Sequence, residues 1–189
     1  MNKPQSGEYP SEYVEQVHLL DGTLVTIRPI RPDDAAGLQA GFQRLSPESV
    51  YLRFLETFSM LTDKQARDFA NVDYRNKMAL VAEIRENDQD NLIGVARYAL
   101  VGGHGSKLAE SAVVVVDEYQ GRGLGTLLLD RLVKYARDHG VETFLGTIHF
   151  SNAKIMRFVR RSGFPAEKQM LEPGVWEVRV KLESPEEPS

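Results

Sequence analysis

The segment 108–140 constrains the fold of this chain most strongly, because it joins a buried strand to a helix through a glycine-rich turn. Leu108 to Val116 is an apolar run that ends in four valines, which is typical of a strand covered on both faces. After Gly123, apolar residues recur at intervals of three and four, which predicts a helix with one buried stripe that ends at Gly140. This unit therefore predicts a sheet with a helix packed against it.

The order of the other elements places this unit late in an α+β domain. The Asp-Gly pair at residues 21–22 separates two alternating apolar runs and predicts a hairpin. Three helices are predicted between residues 31–71, and strands follow within 78–101. Strands and one short helix alternate over residues 143–182. We expect a mixed, mostly antiparallel sheet of about seven strands, with helices on both of its faces.

The composition describes an ordinary globular chain with one domain. The 189 residues include 42% hydrophobic and 26% charged residues, and the net charge is only -4. That balance gives no sign of a nucleic-acid or membrane partner. Residues 1–12 are expected to form a flexible arm, 13–182 one domain and 183–189 a disordered acidic tail.

The residue types that are missing exclude several kinds of chemistry. The chain has no cysteine, so it has no disulfide, no thiolate metal ligand and no cysteine nucleophile. Its histidines match no ligand spacing, and we expect no metal site. It shows neither a signal segment nor a long apolar run, which favours a cytoplasmic protein.

The glycine-rich turn at residues 120–126 predicts an anion site. It opens a helix, and several backbone N–H groups are exposed at the positive end of that helix. Alternating glycines let an anion approach the backbone closely, and Arg122 adds positive charge. A tight turn that binds nothing is the alternative, but the glycines beside Gln120 favour a diphosphate. The predicted contacts are Gln120, Gly121, Arg122, Gly123, Leu124, Gly125 and Thr126.

Two other phosphate-binding motifs do not fit this turn. A P-loop needs Gly-Lys followed by Ser or Thr, and the chain has no such sequence. A dinucleotide fingerprint needs a third glycine where this chain has Thr126. Four polar residues, 117–120, also separate the strand from the turn.

The turn instead resembles the signature of the GNAT superfamily, Gln/Arg-x-x-Gly-x-Gly/Ala, at residues 120–125. Residues 152–164 resemble a second family motif, which is an asparagine before a short helix that ends in Gly-Phe. Residues 45–54 and 72–81 resemble the acetyltransferase domain of bacterial Pat-type protein lysine acetyltransferases. The resemblance implies the GNAT fold and transfer of an acetyl group from acetyl-CoA to an amine.

The resemblance also implies a catalytic base. Pat-type enzymes keep a catalytic glutamate at the place of Glu110, where a charge interrupts an apolar strand. We expect partial burial to raise the pKa of Glu110 toward the working range. The alternative is an outward-facing carboxylate in water. His149, at the end of a later strand, is a competing base and a candidate substrate contact.

For the acyl donor, the family places the thioester carbonyl against a backbone N–H of the strand before the turn. That position corresponds here to Val115 or Val116. Asn152 is expected to contact the pantetheine arm, with helix capping as an alternative or additional role. Many GNAT enzymes have a tyrosine general acid where this chain has Val159, so we assign no general acid. The expected donor contacts outside the turn are Val114, Val115, Val116, Asn152 and Lys154.

The acceptor is less well determined by the sequence. Arg53, Tyr74 and Tyr98 are candidate substrate contacts, and packing roles are equally compatible with the pattern. The resemblance implies a protein lysine as acceptor, for example on an acyl-CoA synthetase. A small amine or polyamine remains an alternative, and so does a non-catalytic acyl-CoA sensor. The oligomeric state is left open.

Overall fold

A computed structural model describes residues 7–86 and 88–183, and these residues form one eight-stranded sheet with helices packed on it. The strands are β1 (Glu15–His18), β2 (Leu24–Pro29), β3 (Lys77–Glu86), β4 (Gln89–Leu100), β5 (Leu108–Val115), β6 (Thr143–His149), β7 (Ala166–Glu172) and β8 (Val175–Lys181). The helices are α1 (Ala35–Gln43), α2 (Pro47–Phe54), α3 (Asp63–Ala70), α4 (Leu124–Asp138) and α5 (Ala153–Arg161). Short 3-10 turns cover Ser11–Tyr13, Pro32–Asp34 and Asp117–Tyr119.

The strand order is β1-β2-β3-β4-β5-β6-β8-β7, and only β5 and β6 run parallel to each other. The predicted mixed, mostly antiparallel sheet with helices on both faces is confirmed, with eight strands instead of about seven. The predicted hairpin is also present, because β1 pairs with β2 from Glu15↔Ile27 to His18↔Leu24.

One face of the sheet packs against α4. The leucine stripe predicted for this helix is buried, and Leu124, Leu128 and Leu132 are at most 1% exposed. They belong to the same apolar cluster as Met78 and Leu80 of β3. Each such side chain stabilises the fold by roughly 1.5–3 kcal/mol through the apolar surface that it removes from water.

The opposite face packs against α1 and α3. Ala79 and Val81 of β3 lie in a second cluster with Leu92 and with Ala70 of α3. Strand β3 is therefore buried on both faces, which explains why its sequence is a continuous apolar run instead of an alternating one.

The pairing of β5 with β6 is short, and this positions the functional site. The two strands pair only from Leu108↔Thr143 to Glu110↔Leu145. Beyond these pairs, β5 continues beside β4, while β6 stays paired with β8. The sheet is therefore split, and a wedge-shaped opening separates the ends of β5 and β6.

The predicted arm and tail are described only in part. Gly7 N donates to Asp73 O at 2.9 Å, and the Tyr9 hydroxyl donates to Pro29 O at 3.2 Å. Residues 1–6 of the arm and 184–189 of the tail lie outside the described residues. Within the described residues, none of the helices combines the length and apolar character needed to cross a bilayer.

Candidate active site

The glycine-rich turn leads directly into α4, as the sequence predicts. Gly121 and Gly123 have φ angles of 77° and 88°, a left-handed conformation that side chains rarely adopt. Gly123 is the N-cap of α4 and has no side chain to cap the helix. Leu127 N is the first amide that donates back to Gly123 O, at 3.1 Å. The amides of residues 124–126 therefore have no acceptor within the helix and form a site of positive potential.

Gly125 needs a different explanation, because its φ is not left-handed. A Cβ atom added there would meet only Val115 Cγ2, at an ordinary contact distance of 3.6 Å. The protein itself would accept an alanine, and a glycine in a helix costs about 1 kcal/mol relative to alanine. The open space above Gly125 fits a phosphate group that approaches the backbone closely.

Arg122 connects the turn to the β1–β2 hairpin. Its guanidinium lies 2.8 Å from the Asp21 carboxylate and donates to Glu118 O at 2.7 Å. It also lies over the Tyr119 ring, 4.8 Å from the centroid. Its charge is therefore paired within the protein, and a direct contact between Arg122 and a phosphate stays a prediction.

Gln120 holds the start of the turn in place. Its side-chain nitrogen lies 3.0 Å from Val115 O and 3.1 Å from Ser49 Oγ, and its side-chain oxygen accepts from Lys154 Nζ. These contacts join β5, α2 and α5. Lys154 thus reaches from α5 to the turn, across one end of the opening.

Asp117, just before the turn, accepts a hydrogen bond from Ser46 N at 3.2 Å. Burial acts to raise the pKa of Asp117, but hydrogen bonds from Ser46 and Ser49 outweigh it and lower the pKa below its ordinary value. The carboxylate is therefore charged at neutral pH and fastens the turn to the start of α2.

The backbone of β5 shows which amides face the opening. Val116 N donates to Ile93 O at 2.9 Å, so this amide belongs to the sheet. Because hydrogen-bonded and non-hydrogen-bonded pairs alternate in an antiparallel ladder, Val114 also directs its amide at β4. Val115 turns toward the opening, where its carbonyl meets Gln120. The prediction of Val116 as a thioester contact is wrong for this reason, whereas Val115 remains a candidate. The Val114 amide is likewise unavailable to a ligand, and a contact of its side chain with the donor stays a prediction.

The opening contains a cavity of ≈ 750 Å³. Helix α5 is strongly amphipathic, yet none of its residues is fully buried. Its apolar stripe lines the cavity instead, together with residues from both separated strands. The lining includes Ser111, Val113, Gly146, Ile155, Phe158 and Val159. An apolar channel of this kind suits the pantetheine arm of CoA.

Asn152 lies at the entrance to α5. Its side-chain oxygen accepts from Ile155 N at 3.3 Å, so the expected helix cap is present. The residue also lines the cavity, which leaves its amide nitrogen available for a ligand. The contact with the pantetheine arm stays a prediction.

A second cavity, of ≈ 610 Å³, lies on the opposite face of the sheet between helices α1–α3 and strands β4–β5. Its walls are mainly apolar, and Arg53 of α2 and Arg97 of β4 also line it. Arg53 and Ala112 line both cavities. The two cavities therefore share part of their walls at the middle of β5, a place called the junction below.

Glu110 lies close to this junction. It is two residues before Ala112, so both side chains are on the same face of β5. Burial lowers the pKa of Arg53 to about 10, and the negative charge of Glu110 partly opposes this shift. The Glu110 side chain itself is exposed, so the partial burial expected from the sequence is wrong.

Arg97 is a residue that the sequence analysis missed. It pairs with Ala112 across the ladder, donates to Phe69 O at 3.2 Å and lies over the Phe69 ring at 4.6 Å. Burial lowers its pKa to about 10, and the positive charge of Arg53 adds to that effect. The sequence does contain a signal for Arg97, because its charge interrupts the apolar run of β4. Only the register of the strands shows which cavity Arg97 faces.

Two predicted substrate contacts, Tyr98 and Tyr74, line neither cavity. Tyr98 is 1% exposed on the α4 face of the sheet, and it packs against Tyr135 and Phe144. The Tyr74 hydroxyl donates to Ile30 O at 2.7 Å. Tyr98 is a packing residue, and its interpretation as a substrate contact is wrong in this structure. Tyr74 is partly buried, and its role as a substrate contact stays a prediction.

His149 lies at the end of β6. Its Nδ1 is 2.7 Å from Ser151 Oγ, and its ring meets Tyr51 edge-on with centroids 5.4 Å apart. These contacts orient the imidazole next to α2, but they do not bring it into either cavity. Its roles as a base or substrate contact stay predictions.

Comparisons with known proteins agree with this geometry. Residues 47–164 match the model of the acetyltransferase (GNAT) family. Acetyltransferase PA5475 of Pseudomonas aeruginosa is 30% identical over 148 residues, which cover 78% of each protein. Acetyltransferase Pat of Mycolicibacterium smegmatis is 29% identical over 78% of this chain, but the match spans only 43% of Pat.

A solved structure gives the same result. The GNAT domain of S. lividans PAT superposes with a TM-score of 0.82 and 29% sequence identity. The superposition covers 92% of this chain and 99% of that domain. The family match, the shared fold and the glycine-rich turn at the head of α4 agree, and the chain therefore belongs to the acetyltransferase (GNAT) family, whose acyl donor is acetyl-CoA.

Proposed function

We propose that this acetyltransferase moves the acetyl group of acetyl-CoA to a lysine side chain of a protein, with Glu110 as the general base. The observation that carries the proposal is the junction of the two cavities at Ala112, next to Glu110. A donor in one cavity and an amine from the other would meet at this point.

The donor side supplies binding and polarisation. The free amides of residues 124–126 would hold the diphosphate, and the opening between β5 and β6 would hold the pantetheine arm. The amide of Val115, which is turned toward the opening, is suited to donate to the thioester oxygen as negative charge develops on it.

The acceptor side must supply a neutral amine. A lysine side chain has a pKa of about 10.4, so holding it neutral at pH 7 costs about 4.6 kcal/mol. Glu110 would take the proton, the nitrogen would attack the thioester carbon, and the C–S bond would break to release CoA. Val159 and Phe158, which line the cavity where many family members have a tyrosine, carry no ionisable proton. The CoA thiolate therefore leaves as the anion or is protonated by water.

The protein acceptor is supported by the resemblance of residues 45–54 to Pat-type protein lysine acetyltransferases. This segment forms α2, which carries Arg53 at the junction. Acyl-CoA synthetases are candidate acceptors on the same ground. The chain spans less than half of the M. smegmatis Pat, so we carry over no further property of that protein.

One observation favours a small amine as a second candidate acceptor. The cavity between α1–α3 and β4–β5, here called the acceptor cavity, has mainly apolar walls with two arginines, which is typical of a small-molecule site. A lysine from a protein surface needs only a narrow channel, and a bare lysine side chain does not require an apolar recess next to two arginines.

An acceptor assay tests the proposal. The purified chain is incubated with radiolabelled acetyl-CoA and either cell-lysate proteins or a panel of small amines and polyamines. Label on a lysine supports the first proposal, and label on a small amine supports the second. Binding of acetyl-CoA without transfer to any acceptor would contradict both and leave a non-catalytic sensor.

A further inference from the structure

The acceptor cavity contains two positive side chains without a negative partner. Among the described residues, neither Arg53 nor Arg97 has a carboxylate within 4.0 Å. Arg97 donates one hydrogen bond, to Phe69 O, and both guanidinium groups lie over phenylalanine rings at 4.6 Å. Most of their N–H donors therefore remain available on the cavity side.

Arg28, the most buried arginine among the described residues, is compensated differently. Arg28, which is 6% exposed, meets the carboxylates of Asp34 and Glu83, each at 2.7 Å. A buried positive charge is normally compensated in this way, because its removal from water is costly. Arg53 and Arg97 are half-buried in the wall of an apolar cavity and lack such a partner among the described residues.

The two arginines also act on each other. The positive charge of Arg53 contributes to the lowered pKa of Arg97, so the two groups are close enough to repel. Two like charges at the wall of an apolar cavity are unfavourable unless an anion lies between them or beside them. The carboxylate of Glu110 acts on Arg53 from a distance and makes no direct contact with it.

We propose that Arg53 and Arg97 form a carboxylate-binding subsite of the acceptor cavity, so that the acceptor carries a carboxylate and an apolar body in addition to its amine. Guanidinium groups match the planar shape of a carboxylate, and the apolar walls suit an alkyl or aromatic body. The amine end would then reach the junction at Ala112. Calling this ligand an acceptor rests on the proposed acetyl transfer. The proposal that Arg53 and Arg97 bind a carboxylate does not depend on that transfer.

The carboxylate could have two sources. It could belong to a small molecule, such as an amino acid with an apolar side chain. It could also belong to an acidic side chain next to a target lysine in a protein. The chemistry at the arginines is the same, and the experiments below separate the sources.

A binding experiment tests the subsite without turnover. Isothermal titration with hexanoate and with hexanamide compares ligands that differ in charge but not in length. We expect hexanoate to bind at least about tenfold more tightly, because only the carboxylate adds the attraction of opposite charges to its hydrogen bonds with the guanidinium groups. Equal affinity for the two ligands, or no binding of hexanoate, would overturn the proposal.

Variants assign the effect to the arginines. Arg97→Gln and Arg53→Gln should each remove most of the preference for hexanoate. Arg85→Gln is the matched control, because Arg85 is 64% exposed and pairs with Asp90 on the β3–β4 hairpin. A preference that is unchanged in both cavity variants would contradict the assignment. If either variant fails to fold, Arg97→Lys keeps the charge, and it should reduce the preference without removing it.

Turnover distinguishes the two sources. For a small acceptor, 6-aminohexanoate should be acetylated with a kcat/KM at least about tenfold above that of 6-aminohexanamide. For a protein acceptor, the same difference should appear between lysine peptides with a neighbouring Glu or Gln. Transfer to amines without any carboxylate preference would contradict the carboxylate-binding subsite but support the acetyl transfer. Preferential binding of hexanoate without transfer to any amine would support the subsite and contradict the acetyl transfer.

Discussion

The donor side and the acceptor side of this site are built in different ways. The proposed donor side consists of backbone amides from one continuous segment, residues 120–126, at the start of α4. The proposed acceptor side consists of side chains from helices α1–α3 and strands β4–β5, which are distant in sequence. The diphosphate is common to every acyl-CoA, and backbone groups can bind it whatever the side chains are. The acceptor must be distinguished from other amines, and that requires side chains.

The two sides also differ in how their charges are compensated. Arg122 beside the donor turn is paired with Asp21, so the anion site there is made by free amides and by the helix dipole. Arg53 and Arg97 on the acceptor side are unpaired within the described residues. Arg122 on the donor side therefore already has a partner within the protein, whereas Arg53 and Arg97 on the acceptor side are available to a ligand.

The largest expected effect separates chemistry from donor binding. Glu110→Gln should lower kcat at least about 100-fold, because general-base catalysis contributes that much or more. The Kd of acetyl-CoA should change less than about twofold, because Glu110 is on the acceptor face of β5. Steady-state kinetics and calorimetry measure the two quantities. Glu167→Gln, an exposed carboxylate on β7, is the control, and a similar kcat for both variants would remove Glu110 from the mechanism.

A change at Gly125 tests the donor side alone. Gly125→Ala should raise the Kd of acetyl-CoA about tenfold, because the new methyl group occupies the space of the phosphate. Its stability should stay equal or rise by up to about 1 kcal/mol, because alanine favours the helix and clashes with no atom. Titration calorimetry and thermal unfolding check this pair of results. An unchanged affinity in a stable variant would mean that no ligand approaches the backbone at Gly125.

A smaller effect is expected at Arg122. Arg122→Gln removes the ion pair with Asp21 but leaves the amides of the turn in place. The Kd of acetyl-CoA should rise less than about threefold, since exposed ion pairs contribute little. A loss of tenfold or more would show a direct phosphate contact, and the donor side would then also depend on side chains.

The smallest effect on activity is expected at Tyr98. Tyr98→Phe should leave kcat/KM unchanged, because the ring packs on the α4 face and lines neither cavity. Its hydroxyl is buried and has no partner among the described residues, so its removal should raise the free energy of unfolding by about 1 kcal/mol. Kinetics and urea unfolding test both statements. A substantial loss of activity would return Tyr98 to the acceptor site.

The parts of the site that could be predicted are those governed by local sequence. The strand, the glycine-rich turn and the helix after it are adjacent along the chain, so their pattern indicates both the structure and the anion site. The errors lie where a residue's orientation depends on a distant partner. Val115 and Val116 belong to the same apolar run, and only the hydrogen bond from Val116 N to Ile93 O shows that the Val116 amide is part of the sheet.

On the acceptor side, the direction in which each side chain points could not be predicted from the sequence either. Arg97 and Tyr98 are neighbours in one strand, yet the period of two sends one to the cavity and the other to the core. Glu110 lies at the last pair between β5 and β6, and its exposure depends on which distant elements cover that face of the sheet, which no single segment encodes.

The amino-acid sequence was sufficient for the order of the elements, the turn at the head of α4 and the membership in an acyl-transfer family. These features depend on short-range periodicity and on backbone conformations that glycine permits. The split of the sheet, the choice of Val115 over Val116 and the convergence of Arg53, Arg97 and Glu110 emerged only from the folded chain. They depend on strand register and on packing between distant segments, where a shift of one residue reverses the face that a side chain occupies.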